Sequence, residues 1–155
     1  MEEVRAATDD DAPQLRQLSD ALVGAVTAQR GGSMLVDPGV SPAELARRLL
    51  ELLGDPHYLV TVGTIDGAVT GFAVCHVEEL EGHGRRGILD ACYTETEARG
   101  VGVGRLLLDR SLAWLRESGC TGVDGIALPG DRAAKNFFEA AGFKARMLTM
   151  YRELD

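Results

Sequence analysis

Leu15, Leu18, Leu22 and Val26 recur at three- and four-residue spacing, which lays one apolar stripe along a helix running from Thr8 to about Gln29. Thr8 supplies a cap, Asp9, Asp10 and Asp11 put carboxylates at the positive end, and Gly31-Gly32 stops the pattern. A second start signal is Ser41, Pro42 and Glu44, a capping box with proline at the first helical position, ahead of Leu45, Leu49, Leu52 and Leu53. Asp55-Pro56 ends that helix. A broader stripe of Leu107, Leu108, Leu112, Trp114 and Leu115 predicts a third helix over Gly102 to Ser118, with Gly119 as its stop. Ala133 to Ala141, closed by Gly142, predicts a fourth.

Between these lie β-branched and aromatic runs. Val4 to Ala7, Tyr58 to Ile65, Ala68 to Val77, Ile88 to Thr94, Val123 to Leu128 and Met147 to Leu154 read as strands, and Asp66-Gly67 is a strong two-residue hairpin turn. The order βααβββαβαβ predicts an α/β protein, and scattered Pro and Gly with no repeat predict one domain over residues 1–155.

Composition narrows the chemistry. Sixteen Lys and Arg against twenty-four Asp and Glu give a net charge of −8, the wrong sign for a nucleic-acid surface. No stretch approaches the roughly 18 apolar residues of a membrane span. Cys75, Cys92 and Cys120 form no CxxC pair, and the acidic start MEEVRAATDDD lacks the basic region of a secretory signal, so a reducing, cytoplasmic setting is expected. Three histidines without a dense ligand motif predict no metal site.

The most informative stretch is ILDACYTETEARGVGVGRLLLDRSL, a strand leading through an acidic turn into Arg99-Gly100-Val101-Gly102-Val103-Gly104 and a helix. Glycines there let backbone N–H groups approach a ligand, and the helix start carries partial positive charge, so the turn suits a pyrophosphate. Arg99 and Arg105 add full charges. The GxGxxG dinucleotide pattern fails on Leu107 or Val103, and no Lys-Ser or Lys-Thr completes a GxxxxGK[ST] loop. A glycine turn with no ligand is the plain alternative.

Arg99, Gly102 and Gly104 form an Arg-x-x-Gly-x-Gly pattern that resembles the GNAT superfamily of acyl-CoA-dependent N-acyltransferases. VRAATDDDAPQLRQL is similar to that family's first strand and helix, IDGAVTGFAV to its central hairpin, and GDRAAKNFFEAAGF to its C-terminal signature, so the resemblance covers nearly the whole chain. It implies a mixed, mostly antiparallel sheet with helices on both faces. The sheet would split into a V-shaped cofactor cleft where the strand ending near Thr94 parts from the strand Val123 to Leu128. The pantetheine arm of acetyl-CoA would pair with Cys92, Tyr93 and Thr94, and its pyrophosphate would sit on Arg99, Gly100, Val101, Gly102, Val103, Gly104 and Arg105. Arg132 and Lys135 would meet the remaining phosphate.

Two residues depart from the family pattern. Asp131 stands where an asparagine commonly contacts the cofactor arm, and Phe138 occupies the slot of a tyrosine that protonates the leaving thiolate. Attack of an amine on a thioester needs a proton acceptor. Asp90, Glu78, Glu95 and His76 are the candidates, and spacing singles out none of them. Asp90 is carried forward as base and Tyr151 as an alternative proton donor. Cys92 as an acyl-accepting nucleophile is set below direct transfer, because a small residue on a core strand is usually packing.

The implied activity is transfer of an acetyl group from acetyl-CoA to a primary amine of a small molecule or protein, and the acidic balance suits a cationic acceptor. A homodimer is expected, as in many relatives. The alternatives are an acyl-CoA-binding sensor or regulatory module that has lost turnover, which Phe138 favours, and a scaffold with no ligand. Arg30 to Val40, the second helix and His76 to Gly87 would shape the acceptor site.

Overall fold

The computed structural model describes residues 1–36 and 39–155, so Asp37 and Pro38 of the expected acceptor loop lie outside the described residues. The strands are β1 (Glu2–Ala6), β2 (Tyr58–Ile65), β3 (Ala68–Leu80), β4 (Gly84–Thr94) and β5 (Cys120–Gly125). The helices are α1 (Ala12–Thr27), α2 (Pro42–Glu51), α3 (Val103–Glu117) and α4 (Arg132–Ala140). One sheet runs in the order β1-β2-β3-β4-β5, antiparallel except for the parallel pair β4 and β5. This is the mixed, mostly antiparallel sheet expected from the resemblance.

Alternation along the strands sends side chains to two different layers. Leu15 and Leu18 of α1 and Leu49 of α2 pack on Val60, Val62, Phe72, Val74 and Tyr93 on one face. Val103 and Leu107 of α3 pack on Ala73, and Leu108 and Leu115 on Cys75 and Leu89, on the other. Gly87 allows this approach, because a Cβ there would lie 2.8 Å from a Leu115 methyl.

Three elements differ from expectation. The 68–80 and 84–94 strands form a hairpin longer than the sequence pattern indicates, since Glu78↔Arg86 and Glu79↔Arg85 pair charges across it. β5 begins and ends earlier than Val123 to Leu128: Gly119 (φ +86°) turns the chain straight out of α3, and Phe138 crowds Gly125 at the strand's far end. The expected strand Met147 to Leu154 is absent. Its residues have strand character but make no ladder with β5, the outermost strand of the sheet, and they lie exposed beyond Arg146.

The entry into α1 is a short turn, Asp9–Asp11, rather than the helix itself. Asp11 is buried there, receives Arg5 Nη1 and Nη2 at 2.8 and 2.7 Å, and accepts the Thr8 N–H at 2.8 Å. The Arg5 bonds, then the Thr8 N–H, hold its carboxyl below the ordinary value despite burial. Because the folded value is the lower one, this stabilisation is complete above about pH 4 and is lost as pH falls through the folded value. Asp11→Ala should lower unfolding free energy by about 1–3 kcal/mol in denaturant titrations at pH 7. An unchanged midpoint there would remove this anchor from the account.

Candidate active site

The cleft arises from pairing that stops. β4 and β5 pair through Gly87↔Val123, Ile88↔Asp124 and Leu89↔Gly125, and the ladder goes no further. From Asp90 to Thr94 the edge of β4 that faces β5 therefore has no strand beside it. The split opens well before Thr94, earlier than the sequence indicates.

A second irregularity coincides with the first. β3 and β4 pair Val74↔Ala91 and Cys75↔Leu89, which leaves Asp90 as an extra residue in a β-bulge. Leu89 belongs to the α3 layer, whereas Ala91 and Tyr93 join the α1/α2 layer. Asp90 also turns to the α1/α2 side, where its Oδ2 lies 2.7 Å from His76 Nδ1. His76 Nε2 lies 3.4 Å from Glu78 Oε1, and the imidazole stacks on Tyr58 with ring centroids 4.9 Å apart. Glu78 in turn accepts from Arg86 Nη2 at 2.7 Å.

Burial pushes the Asp90 carboxyl above its ordinary value, and the His76 bond opposes that. Glu78 is pulled the other way, held down by Arg86 first and His76 second. Asp90 is thus a carboxylate of raised basicity at the vertex of the cleft, 35% of its side chain open to solvent. Glu95, by contrast, lies beyond β4, its N–H bonded to Thr70 O at 2.9 Å.

Cys92, Tyr93 and Thr94 line the unpaired length of β4. The Cys92 thiol reaches Gly104 O at 3.8 Å, and burial pushes it up to about 12. Tyr93 is buried beneath Arg99, whose guanidinium carbon stands 5.7 Å from the ring centroid. Arg99 Nε also donates to Thr94 O at 3.1 Å, so the arginine folds back over the strand end.

Gly100 (φ +86°) and Gly102 (φ +100°) adopt conformations that side chains resist, and a Cβ on either would meet nothing within 4 Å. The constraint there is conformational, with open space in front. Gly102 caps α3 with no side-chain acceptor, and the first turn of α3 holds no acid. The leading N–H groups of a helix have no partner within it, so those of α3 face the turn. Val101 is exposed, Val103 is buried in the α3 core, and Arg105 pairs with Asp109 at 2.9 Å. Gly104 faces Thr94 and Phe137, with a Cβ 3.4 Å from Thr94 Oγ1.

The α4 residues are less uniform. Asp131 caps its own helix, Oδ1 accepting from Ala134 N at 2.9 Å and Oδ2 from Gln29 Nε2 at 3.4 Å. Lys135 is exposed beside Glu139 at 3.9 Å. Phe138 is half-buried against Gly125 and Phe143, at the mouth of the split. Tyr151 is 84% exposed, in the segment that forms no strand. His76 and Tyr58 stand with Asp90.

The Acetyltransferase (GNAT) family profile matches residues 19–143. The chain belongs to the acetyltransferase (GNAT) family. No curated protein matches the sequence. Among solved structures, a transcriptional regulator from Bacillus halodurans is 20% identical with TM-score 0.74, covering 99% of this chain and 100% of that one. An aminoglycoside N-acetyltransferase, AAC(6')-Iy, in complex with CoA is 18% identical with TM-score 0.76, covering 99% of this chain and 95% of that one. Glucosamine-6-phosphate N-acetyltransferase from Arabidopsis thaliana is 18% identical with TM-score 0.71, covering 100% of this chain and 99% of that one. These likenesses show a shared GNAT fold.

Thiol labelling checks the packing of the cleft wall. Burial raises Cys75 to about 11 and Cys92 to about 12. In the folded protein at pH 8 a disulfide reagent should modify neither, and both should react at once in denaturant. Rapid labelling of native Cys92, read by peptide mass, would show an open wall instead.

Proposed function

We propose that this GNAT-family chain, as one unit over residues 1–155, transfers an acetyl group from acetyl-CoA to a primary amine. The observation that carries the reading is the unpaired edge of β4 leading from Asp90 directly into the uncapped, glycine-bounded start of α3. An extended polar arm can bond to such an edge as an added strand does. A pyrophosphate suits N–H groups at a helix start, where open space lies before Gly100 and Gly102. The residues present therefore fit acetyl-CoA, which when bound supplies an acetyl group activated as a thioester.

In this reading Cys92, Tyr93 and Thr94 offer their backbone to the arm, and N–H groups beside the bulge polarise the carbonyl. Gly100 to Gly104 hold the pyrophosphate, with Arg99 and Arg105 beside it and Lys135 and Arg132 nearest the outer phosphate. Asp131 supports α4 rather than the cofactor. As the amine nitrogen bonds to the carbonyl carbon, Asp90 accepts its proton, and the carbon–sulfur bond then breaks. His76 holds Asp90 in orientation and Glu78 holds His76. Phe138 has no proton to donate, so the departing thiolate takes one from water. The raised, buried Cys92 thiol supports direct transfer over an acyl-enzyme.

Asp90 and Glu78 on the acceptor side, together with the net charge of −8, favour a cationic acceptor. The aminoglycoside and amino-sugar acetyltransferases of the same fold are consistent with a small amine. Three free cysteines support a reducing, cytoplasmic setting, and among the described residues no helix is long and apolar enough to cross a membrane. The homodimer expected from the resemblance belongs to this reading. A second reading, an acyl-CoA-binding regulatory module, is favoured by Phe138 alone.

Calorimetry with acetyl-CoA followed by an amine-panel assay tests both. Gly102→Val with Gly104→Val should abolish binding in a folded protein. Asp90→Asn should keep acetyl-CoA affinity while kcat falls about 100-fold or more. Binding without turnover on any amine would favour the regulatory module, and no binding by the native chain would end both readings.

The pH profile separates base from scaffold. Asp90 works as the carboxylate, and its folded value is raised, so kcat/KM should fall as pH drops through a value above the ordinary carboxylate range of about 4. Asp90→Asn should erase that acidic limb. A limb that persists in the variant would assign the proton to another group.

A further inference from the structure

We propose that Gln29 binds the arm of acetyl-CoA from across the split, its carboxamide oxygen accepting an amide N–H that β4 does not meet. This deepens the acetyl-CoA reading and rests on it. Gln29 lies just past the end of α1, and its Oε1 is buried with no hydrogen-bond partner among the described residues. A buried acceptor without a donor is costly and uncommon, which points to a donor that arrives with a ligand. Ser19, Thr61 and Thr70 also bury an unpaired oxygen, but each is a hydroxyl that can donate as well as accept, whereas the Gln29 oxygen only accepts.

The carboxamide has one workable orientation. Its Nε2 donates to Ala25 O at 3.2 Å and to Asp131 Oδ2 at 3.4 Å, and a carbonyl and an ionised carboxylate can only accept. The reversed orientation would set Oε1 against two oxygens. Asp131 has no donor to offer, and its other oxygen caps α4 through the Ala134 N–H. Oε1 is therefore held at the end of the carboxamide turned away from both acceptors.

The bond to Asp131 spans the split. α1 packs over β2, β3 and β4 through Leu15, Leu18 and Leu22. Asp131 follows β5 after it has parted from β4, and it opens α4, which packs on the α3 face through Phe137 and Phe138. Gln29 thus reaches from the bank that carries β4 to the bank that carries β5. Gly31 meets the same far bank, where a Cβ would stand 3.6 Å from a Leu128 methyl. An arm laid along β4 as an added strand directs its amide groups alternately toward β4 and away from it. Those facing away need partners too, and β5 pairs with β4 no further than Gly125, so the sheet supplies none. A side-chain oxygen held between the banks meets that need without continuing a ladder.

Calorimetry on the full chain with acetyl-CoA and, separately, with ADP, which carries a pyrophosphate without the arm, tests the assignment. Gln29→Met, close in size and lacking the carboxamide, should weaken acetyl-CoA about tenfold and leave ADP unchanged. On the native protein, the NMR signal of the Gln29 carboxamide carbon should shift downfield when acetyl-CoA is added and stay in place with ADP, a readout that needs no variant to fold. Unchanged acetyl-CoA affinity in a Gln29→Met protein folded by far-UV dichroism overturns the contact while the acetyl-CoA reading stands. Equal losses for acetyl-CoA and ADP overturn it as well, and make Gln29 a tie between α1 and α4. A carboxamide signal that moves with an amine and not with acetyl-CoA assigns the oxygen to the acceptor instead. A native chain that does not bind acetyl-CoA overturns the acetyl-CoA reading itself, and this contact with it.

Discussion

The whole site depends on one interruption of backbone hydrogen bonding. β4 keeps its partner on the β3 side along its full length but loses its partner on the β5 side after Leu89. A strand buried on both faces must satisfy its N–H and C=O groups, so a missing ladder within a sheet is a place reserved for something else. Phe138 packs against Gly125, the last residue of β5, where the two strands separate. The same interruption leads on to α3, whose free N–H groups continue the line of unpaired donors.

The bulge at Asp90 places a partly buried carboxylate at this opening. In a regular strand Asp90 and Ala91 would face opposite layers. The extra residue puts both on the α1/α2 side and brings Asp90 beside His76. Partial burial then raises the carboxyl's basicity, while the imidazole keeps it from drifting into solvent. Tyr58 completes the arrangement through a ring stack and not through a bond, so it contributes shape without competing for the proton.

The sequence disclosed most of the fold because its local signals agree with the global one. The Ser41 cap does accept the Glu44 N–H, Asp66-Gly67 does make a turn with both residues at positive φ, and Gly102 and Gly119 bound α3. What it withheld were one-residue shifts. Regular pairing back from Asp66-Gly67 would set Tyr58 opposite Cys75, but the irregularity between Gly63 and Thr64 sets it opposite His76. No residue type marks that irregularity, so neither the Tyr58–His76 stack nor the Asp90–His76 contact was legible. The Met147–Leu154 pattern reads as a strand, yet a β-compatible pattern does not by itself form a ladder, and these residues make none.

The polar side chains around the vertex form a continuous series: Asp90, His76, Glu78, Arg86, Asp124 and Arg146. Arg86 serves two carboxylates, and Asp124 serves two arginines. Energies in such a series are not separable, since removing one member leaves its neighbours to redistribute their partners. A double-mutant cycle on Glu78 and Arg146 therefore carries a coupling energy even though the two side chains share no contact. The carboxylate proposed as proton acceptor and the Arg146 anchor on β5 belong to one electrostatic unit, and any redesign of either is a redesign of both.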